Sequence, residues 1–289
     1  MIRLALGTVQ FGQPYGIANR QGQVSRASAR EMLHLASARG IDMLDTAIAY
    51  GESEACLGEA GVNAFKLVTK LPAVPEGCVD VGKWVRDQFG ASLKRLGVRA
   101  VYGLLLHRPV QLLEPNGEEL YRALMALKDA GCVEKVGVSV YSPDELAGLI
   151  PRYRIGLIQA PFNLVDQRLK TSGWLERLKQ NNIEIHTRSA FLQGLLLMPL
   201  SAIPSKFSPW ADIWSEWHQW LGSHAASAVQ ACLACPLSCP EIDRVVVGAD
   251  GLEHLSQIID ATNGVGGMTP PDLACTDERL INPARWSCL

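Results

Sequence analysis

Short apolar runs alternate along this chain with longer stretches whose apolar residues recur every three or four positions. Runs at 3–9, 41–45, 65–70, 100–106, 136–139, 155–160, 184–189 and 245–247 have strand length, and the near-continuous 100–106 run predicts a strand covered on both faces. Between them lie helical stretches. Ser25 caps one that carries Ala29, Met32, Leu33 and Ala36 on a single face, and Gly40 stops it. Others are predicted over 53–60, 83–96 ending at Gly97, 117–130 ending at Gly131, from Ser142-Pro143 onward, over 169–180, from 225 to about 234, and over 252–262. Eight strands, each followed by a helix, predict a (β/α)8 TIM barrel.

Two stretches fall outside that alternation. Trp210, Trp214, Trp217 and Trp220 recur at helical spacing, which puts them on one stripe, expected as core or the edge of a lid, with an oligomer contact as the alternative. The tail beyond Gly264 is rich in Gly and Pro and is expected to wrap the surface. No shift in composition marks a boundary, so residues 1–289 read as a single domain. Hydrophobic residues make up 48% of the chain, which supplies a sizeable core and excludes intrinsic disorder. A formal charge of −2 gives no electrostatic case for nucleic acid or an anionic membrane. No run is long enough to span a bilayer and no signal sequence is apparent, so a cytoplasmic location is expected. In such a reducing compartment the eight cysteines are expected as free thiols.

Three of the runs close on residues with acid–base chemistry. Leu44-Asp45-Thr46-Ala47-Ile48-Ala49-Tyr50-Gly51 places Asp45 at a strand end and presents Tyr50 before a glycine; 65–70 closes on Lys70, and 101–107 on His107. Barrel enzymes of this kind hold their active sites at the C-terminal ends of the strands. Singly these residues are ordinary, since a strand-end Asp is more often a helix cap and a Lys a solvated edge. As an ordered set, D-T-A-x-x-Y-G, then V-T-K, then L-L-H-x-P, they resemble the aldo-keto reductases. The phrases G-T-x-Q-F-G and Y-G-I-A-N near the first strand extend the likeness, which runs nearly end to end.

The resemblance implies a catalytic set of Asp45, Tyr50, Lys70 and His107. It also implies hydride transfer between NADP(H) or NAD(H) and a small-molecule carbonyl substrate, an aldehyde or ketone. Tyr50 would donate the proton. A Lys70 ammonium about 4 Å from its oxygen would stabilise the tyrosinate by roughly 4 kcal/mol at an effective dielectric of 20. Asp45 would keep Lys70 charged, and His107 would hydrogen-bond the carbonyl oxygen.

Cofactor positions carry over as Gly7 and Thr8 at the first strand end, and Ser139 and Gln159 for the nicotinamide amide. Ser189, Leu192 and Gly194 match the pyrophosphate loop, and Gly248, Asp250 and Gln257 lie at the adenine end. Three departures stand out. Val140 replaces an Asn that follows the serine. Arg188 replaces the aromatic that stacks on the nicotinamide and is itself counted with the cofactor positions, since a planar guanidinium can stack on a ring; it also adds a positive charge near the substrate. Gly251 stands where an Arg would grip a 2′-phosphate, with Asp250 beside it, which points to weak dinucleotide discrimination or a lean to NADH. Phe11, Arg108, Arg188 and the Trp-rich segment are the candidate substrate contacts.

Other chemistries fit parts of the same sequence. Lys70 with Asp45 would also serve a Schiff-base lyase. A nucleotide-binding sensor on the same barrel need not retain all four catalytic residues. Cys232-x-x-Cys235-x-x-x-Cys239 echoes an iron–sulfur run. It offers only three clustered thiols, on a segment that matches an apolar helix in the family, so no metal is expected.

Overall fold

The computed structural model describes residues 2–289. Eight parallel strands close into a barrel: β1 (Leu4–Gly7), β2 (Met43–Asp45), β3 (Lys66–Leu71), β4 (Val101–Leu106), β5 (Val133–Ser139), β6 (Leu157–Pro161), β7 (Glu184–Arg188) and β8 (Arg244–Gly248). Each pairs with its neighbour in sequence, and β1 pairs with β8 to complete the ring, Leu4 opposite Val245 and Gly7 opposite Gly248. The fold is therefore the (β/α)8 barrel read from the sequence.

Strand alternation divides the apolar side chains between two cores. Ala5, Met43, Val68, Leu105, Leu157 and Val246 point inward and fill the barrel. Leu4, Leu6, Leu44, Leu67, Leu104 and Leu106 point outward and pack beneath the helices. The outer layer includes Arg26–Ala38, Val81–Leu96, Gly117–Asp129 and Leu252–Ala261. Ser25 caps the first through the Ser28 amide, and Gly97 ends the second in the left-handed conformation at φ 68°.

The structure differs from the sequence reading at the sixth helix and in the tail, and finds the Trp-rich segment between them in the expected core role. The helix predicted over 169–180 is two pieces, Arg168–Thr171 and Trp174–Gln180, because Gly173 enters the left-handed region at φ 74°. The segment after β7 folds into short 3-10 turns before the helix Ala211–Ser223. Its tryptophans serve as core: Trp210, Trp214 and Trp217 are buried, with Trp214 and Trp217 donating to the Phe207 and Leu196 carbonyls. The tail does more than wrap the surface. Leu273, Leu280, Ile281 and Trp286 are buried, and Trp286 packs edge-on against Phe207 with ring centroids 4.9 Å apart.

Beneath the apolar girdle, the start of β7 carries a half-buried ion network. Glu184 accepts from the Tyr102 hydroxyl at 2.5 Å and from the Lys135 ammonium, and lies 2.7 Å from His186 Nε2. Burial alone would raise the Glu184 carboxyl, but hydrogen bonds from His186, Lys135 and Tyr102 prevail and lower it from 4.5 to about 2. Burial, and then Glu184 itself, push Tyr102 up to about 12. A carboxyl lowered by folding stabilises the protein above its unfolded value, and the contribution is lost as pH falls through its folded value. Glu184→Ala is therefore expected to cost about 1–3 kcal/mol at pH 7, the value for a buried pair reduced because Lys135 is 30% exposed and partly rehydrated. The gap to wild type should shrink between about pH 4.5 and 2. Urea unfolding at pH 7 and near pH 3 checks this; an equal gap at both would refute the assignment.

Candidate active site

The opposite end of the barrel is built around an ammonium with no exposure to solvent. Lys70, near the end of β3, has a side chain 0% exposed and donates to Asp45 Oδ1 at 2.6 Å and to the Thr46 carbonyl at 3.0 Å. The second carboxylate oxygen of Asp45 accepts from Gln159 Nε2 at 2.6 Å. A carboxylate can only accept, so this contact fixes which way the Gln159 amide faces.

Hydroxyl groups hold the Asp45 backbone in turn. Thr8 Oγ1 donates to the Asp45 carbonyl at 3.0 Å, and Ser53 Oγ to the Thr8 carbonyl at 2.8 Å. Thr46 Oγ1, at 3.0 Å, then supplies its proton to Ser53. A second buried carboxylate supports the neighbouring strand, with Glu54 accepting from Thr69 at 2.7 Å, Ser92 at 2.6 Å and Arg95 at 2.8 Å.

Tyr50 follows Asp45 through a tight turn that crosses Gly12. The approach is so close that a Cβ at Gly12 would lie 1.7 Å from the Tyr50 carbonyl oxygen, and Gly51 sits at φ 54° beside it. This is the reason for the Gly after the Tyr. The Tyr50 ring packs edge-on against His107, centroids 5.8 Å apart, and lies under the Lys70 ammonium at 5.1 Å. Burial, followed by the positive charges of Lys70 and Arg188, lowers His107 to about 4, with Asp45 acting in the opposite sense. At neutral pH its imidazole is uncharged.

These groups open onto a cavity of about 640 Å³, within the range of small-molecule and cofactor sites. Tyr50, His107, Asp45, Ser139 and Arg188 line its inner part; Gly248, Asp250, His254 and Gln257 lie along it from β8 onward. The loop after β7 carries three non-glycine residues at positive φ: Ser189 (64°), Leu192 (47°) and Gln193 (53°). Asn163 Nδ2 secures it by donating to the Ser189 carbonyl at 3.0 Å. Across the mouth, Ile17 N donates to the Gln193 carbonyl at 3.1 Å, and a Cβ at Gly194 would lie 2.7 Å from that of Ala18. Arg188 donates to the Val140 carbonyl at 3.1 Å, with its guanidinium 4.8 Å from the Tyr141 ring centroid.

Of the residues singled out in the sequence, Gly7, Thr8, Asp45, Tyr50, His107, Ser139, Arg188, Ser189, Gly194, Gly248, Asp250 and Gln257 line this cavity. Lys70 and Gln159 sit one layer beneath, reaching it through Asp45. Leu192 is buried behind the loop, so it supports the loop rather than facing the cavity. Two substrate candidates fall away: Phe11 is core, and Arg108 turns outward to Glu114 at 3.0 Å. The Cys232, Cys235 and Cys239 thiols are free, and among the described residues no His, Cys, Asp and Glu cluster could hold a metal ion. Gln10, Tyr15, Tyr141, Gln193 and His254 also line the cavity, as do Pro283 and Ala284 of the tail. Tyr15 lay within a quoted motif, whereas contacts from a distant tail leave no local sequence signal.

Comparison with known proteins bears on the family and the fold. The profile of the Aldo/keto reductase family matches residues 3–265. Oxidoreductase sirO of Leptosphaeria maculans is 29% identical over 217 residues, 72% of this chain and 65% of that protein, so the match spans just under two thirds of its length. An L-glyceraldehyde 3-phosphate reductase of Escherichia coli O157:H7 is 26% identical over 232 residues, 72% of this chain and 66% of that protein. Among solved structures, the holo form of aldo-keto reductase AKR11C1 from Bacillus halodurans superposes with a TM-score of 0.72 at 19% identity, over 93% of this chain and 88% of that one. At that identity the likeness is one of fold.

The electrostatics of the site yield a direct check. His107 is expected to remain neutral from pH 8 down to about pH 5, since its midpoint lies near 4. Imidazole nitrogen shifts followed by NMR, with His107→Gln to assign the signal, measure this. A midpoint near 6.5 would show that burial and the two cations do not act as described.

Proposed function

We propose that this chain, which belongs to the aldo/keto reductase family, reduces an aldehyde or ketone with hydride from a nicotinamide dinucleotide, Tyr50 supplying the proton. The observation that carries this reading is the convergence of Tyr50 and His107 on one cavity wall, with the buried Lys70–Asp45 pair directly behind them.

The residues present fit such a cofactor. Gln10 Oε1 and Gln159 Oε1 are buried without a hydrogen-bond partner. Gln10 lines the cavity and has an acceptor left for an amide donor such as a carboxamide; Gln159, its Nε2 committed to Asp45, keeps a second free acceptor one layer beneath. Ser139, opposite Gln159 in the sheet, offers a hydroxyl beside it. When bound, the nicotinamide supplies the hydride.

The protein's own part is to hold and polarise the carbonyl. Neutral His107 donates a ring N–H to the carbonyl oxygen, and Tyr50 delivers its hydroxyl proton as negative charge develops there. The tyrosinate left behind is stabilised by the Lys70 ammonium, 5.1 Å from its ring centroid. Because Asp45 lies 2.6 Å from that ammonium, Tyr50 experiences an ion pair, and the stabilisation is smaller than a bare cation would provide. Asp45 thus sets the position of Lys70 at the expense of part of its field.

At the adenine end, the expectation of weak discrimination is supported by what surrounds Gly251. Its φ of 178° is ordinary extended backbone, and a Cβ there would find Gln21 Oε1 at 3.8 Å as its nearest neighbour, so the missing Arg reflects no lack of space. Asp250, its carboxyl raised by burial against the opposing effects of His254 and Gln10, would accept from a ribose hydroxyl and repel a phosphate.

Two results are expected. Tyr50→Phe keeps the ring under Lys70 and removes only the proton, so turnover should fall roughly 10²–10⁴-fold with dinucleotide affinity nearly unchanged. Single-turnover rates and cofactor titration test this, and retention of half the wild-type rate would exclude Tyr50 as the donor. For the dinucleotide, dissociation constants at one ionic strength should show no NADPH preference above about 100-fold. Gly251→Arg should tighten NADPH alone by roughly 10- to 150-fold, the worth of a charge-assisted hydrogen bond. A strong NADPH preference in the wild type would mean another cation already fills that role.

A further inference from the structure

We infer that Arg188 selects carbonyl substrates carrying an anionic group, a carboxylate or a phosphate; this rests on the reading of the cavity as a carbonyl-reductase site. The first ground is charge balance. Among the described residues, Arg188 forms no ion pair, whereas Arg108 is matched by Glu114 and Arg168 by Asp166. Its hydrogen bonds run to the Val140 carbonyl at 3.1 Å and, at a long 3.4 Å, to Ser189 Oγ. A guanidinium has five N–H donors, so three remain.

No other charge on the inner wall balances it. Asp45 is committed to Lys70 and Gln159, and His107 is held neutral. Asp250 belongs to the far stretch of the cavity, with His254 4.0 Å away. Arg188 nevertheless shares the wall with Tyr50 and His107, and its field reaches the His107 ring. A substrate whose carbonyl oxygen meets those two residues therefore lies beside an unmatched cation.

The second ground is geometric. The Arg188 guanidinium is preset, lying on the Tyr141 ring and tied to Val140, so little rotamer freedom remains to be lost on binding. Tyr15 lines the same cavity. Its hydroxyl accepts from Gln193 Nε2 at 3.2 Å, which leaves its own proton free for an anion. A planar fork of donors with a phenol alongside suits a carboxylate or phosphate oxygen.

The test compares matched substrate pairs: succinic semialdehyde against butanal for the carboxylate, and glyceraldehyde 3-phosphate against glyceraldehyde for the phosphate. Wild type, Arg188→Met and Arg188→Lys are assayed, with dissociation constants for NADH and NADPH measured by fluorescence quenching. At least one charged member should exceed its neutral partner at least 10-fold in kcat/KM, and the favoured pair identifies the anion. Arg188→Met should collapse that ratio by roughly 10- to 150-fold, mainly through KM, while Arg188→Lys retains part of it. Turnover of the neutral aldehydes with no charged preference overturns this inference alone. So does a ratio unchanged in Arg188→Met while cofactor dissociation constants rise about tenfold, which would give Arg188 to the dinucleotide. Absence of turnover on all four, by folded wild type that binds dinucleotide, overturns the reductase reading and this inference with it.

Discussion

A lysine ammonium taken fully out of water sets the terms for the cavity end of this barrel. Moving such a charge into the interior costs several kcal/mol even after relaxation, and only close, well-directed acceptors offset it. Lys70 finds Asp45 Oδ1 at 2.6 Å and the Thr46 carbonyl at 3.0 Å. Asp45 must then be fixed itself, which explains the Gln159 amide on its free oxygen and the Thr8–Ser53–Thr46 hydroxyls behind its backbone. Residues from β2, β3 and β6 are thereby bound into one unit. Removing any of them leaves a buried charge or donor stranded. The ion pair behind Tyr50 is thus also a reason that the strands keep their register.

The two ends of the barrel solve this problem in different ways. At the lower end the Glu184 network satisfies nearly every group it contains, although His186 Nδ1 has no partner. At the upper end the equivalent polar groups are only partly satisfied, with Gln10 Oε1 and Gln159 Oε1 unpaired and Arg188 unmatched. Buried polar groups are normally paired; among the described residues five such atoms lack a partner, two of them on Gln10 and Gln159 at this end and the others on Arg95, His186 and His218. The apolar girdle of Ala5, Met43, Val68, Leu105, Leu157 and Val246 separates the two ends.

How far the sequence could be read follows from how local each feature is. Strand runs and helix caps depend on neighbours a few residues away, so the eight alternations and the caps at Ser25 and Gly97 were legible. Asp45, Tyr50, Lys70 and His107 were legible because each terminates its own strand or the turn after it. Contacts between distant segments were not. The break at Gly173 came within a pattern whose apolar residues fit one continuous helix. Asn163 holding Ser189, Tyr15 meeting Gln193, and Pro283 closing the cavity from the tail all join residues widely separated in sequence. Likewise Arg108 and Arg188 look equivalent as sequence. Only the placement of Glu114 beside one of them separates a surface ion pair from a cavity cation.

That cavity cation stands at the entrance to the most constrained backbone of the molecule. Immediately after Arg188 the chain places Ser189, Leu192 and Gln193 in the left-handed region, where each non-glycine residue costs of order 1 kcal/mol or more. Such conformations persist only where the surroundings over-determine them, and here the restraints are visible. Asn163 holds Ser189, Ile17 holds Gln193, and Gly194 meets Ala18 too closely for any side chain at that position. A loop restrained at three points cannot swing away to relieve its neighbour. Arg188, anchored between this loop, Val140 and the Tyr141 ring, forms no ion pair among the described residues. The cavity therefore presents its positive charge before any ligand arrives, and an incoming anion need not recruit it. Affinity gained in this way comes from ordering already completed in the fold, which is why the strained loop and the unmatched arginine belong to one device.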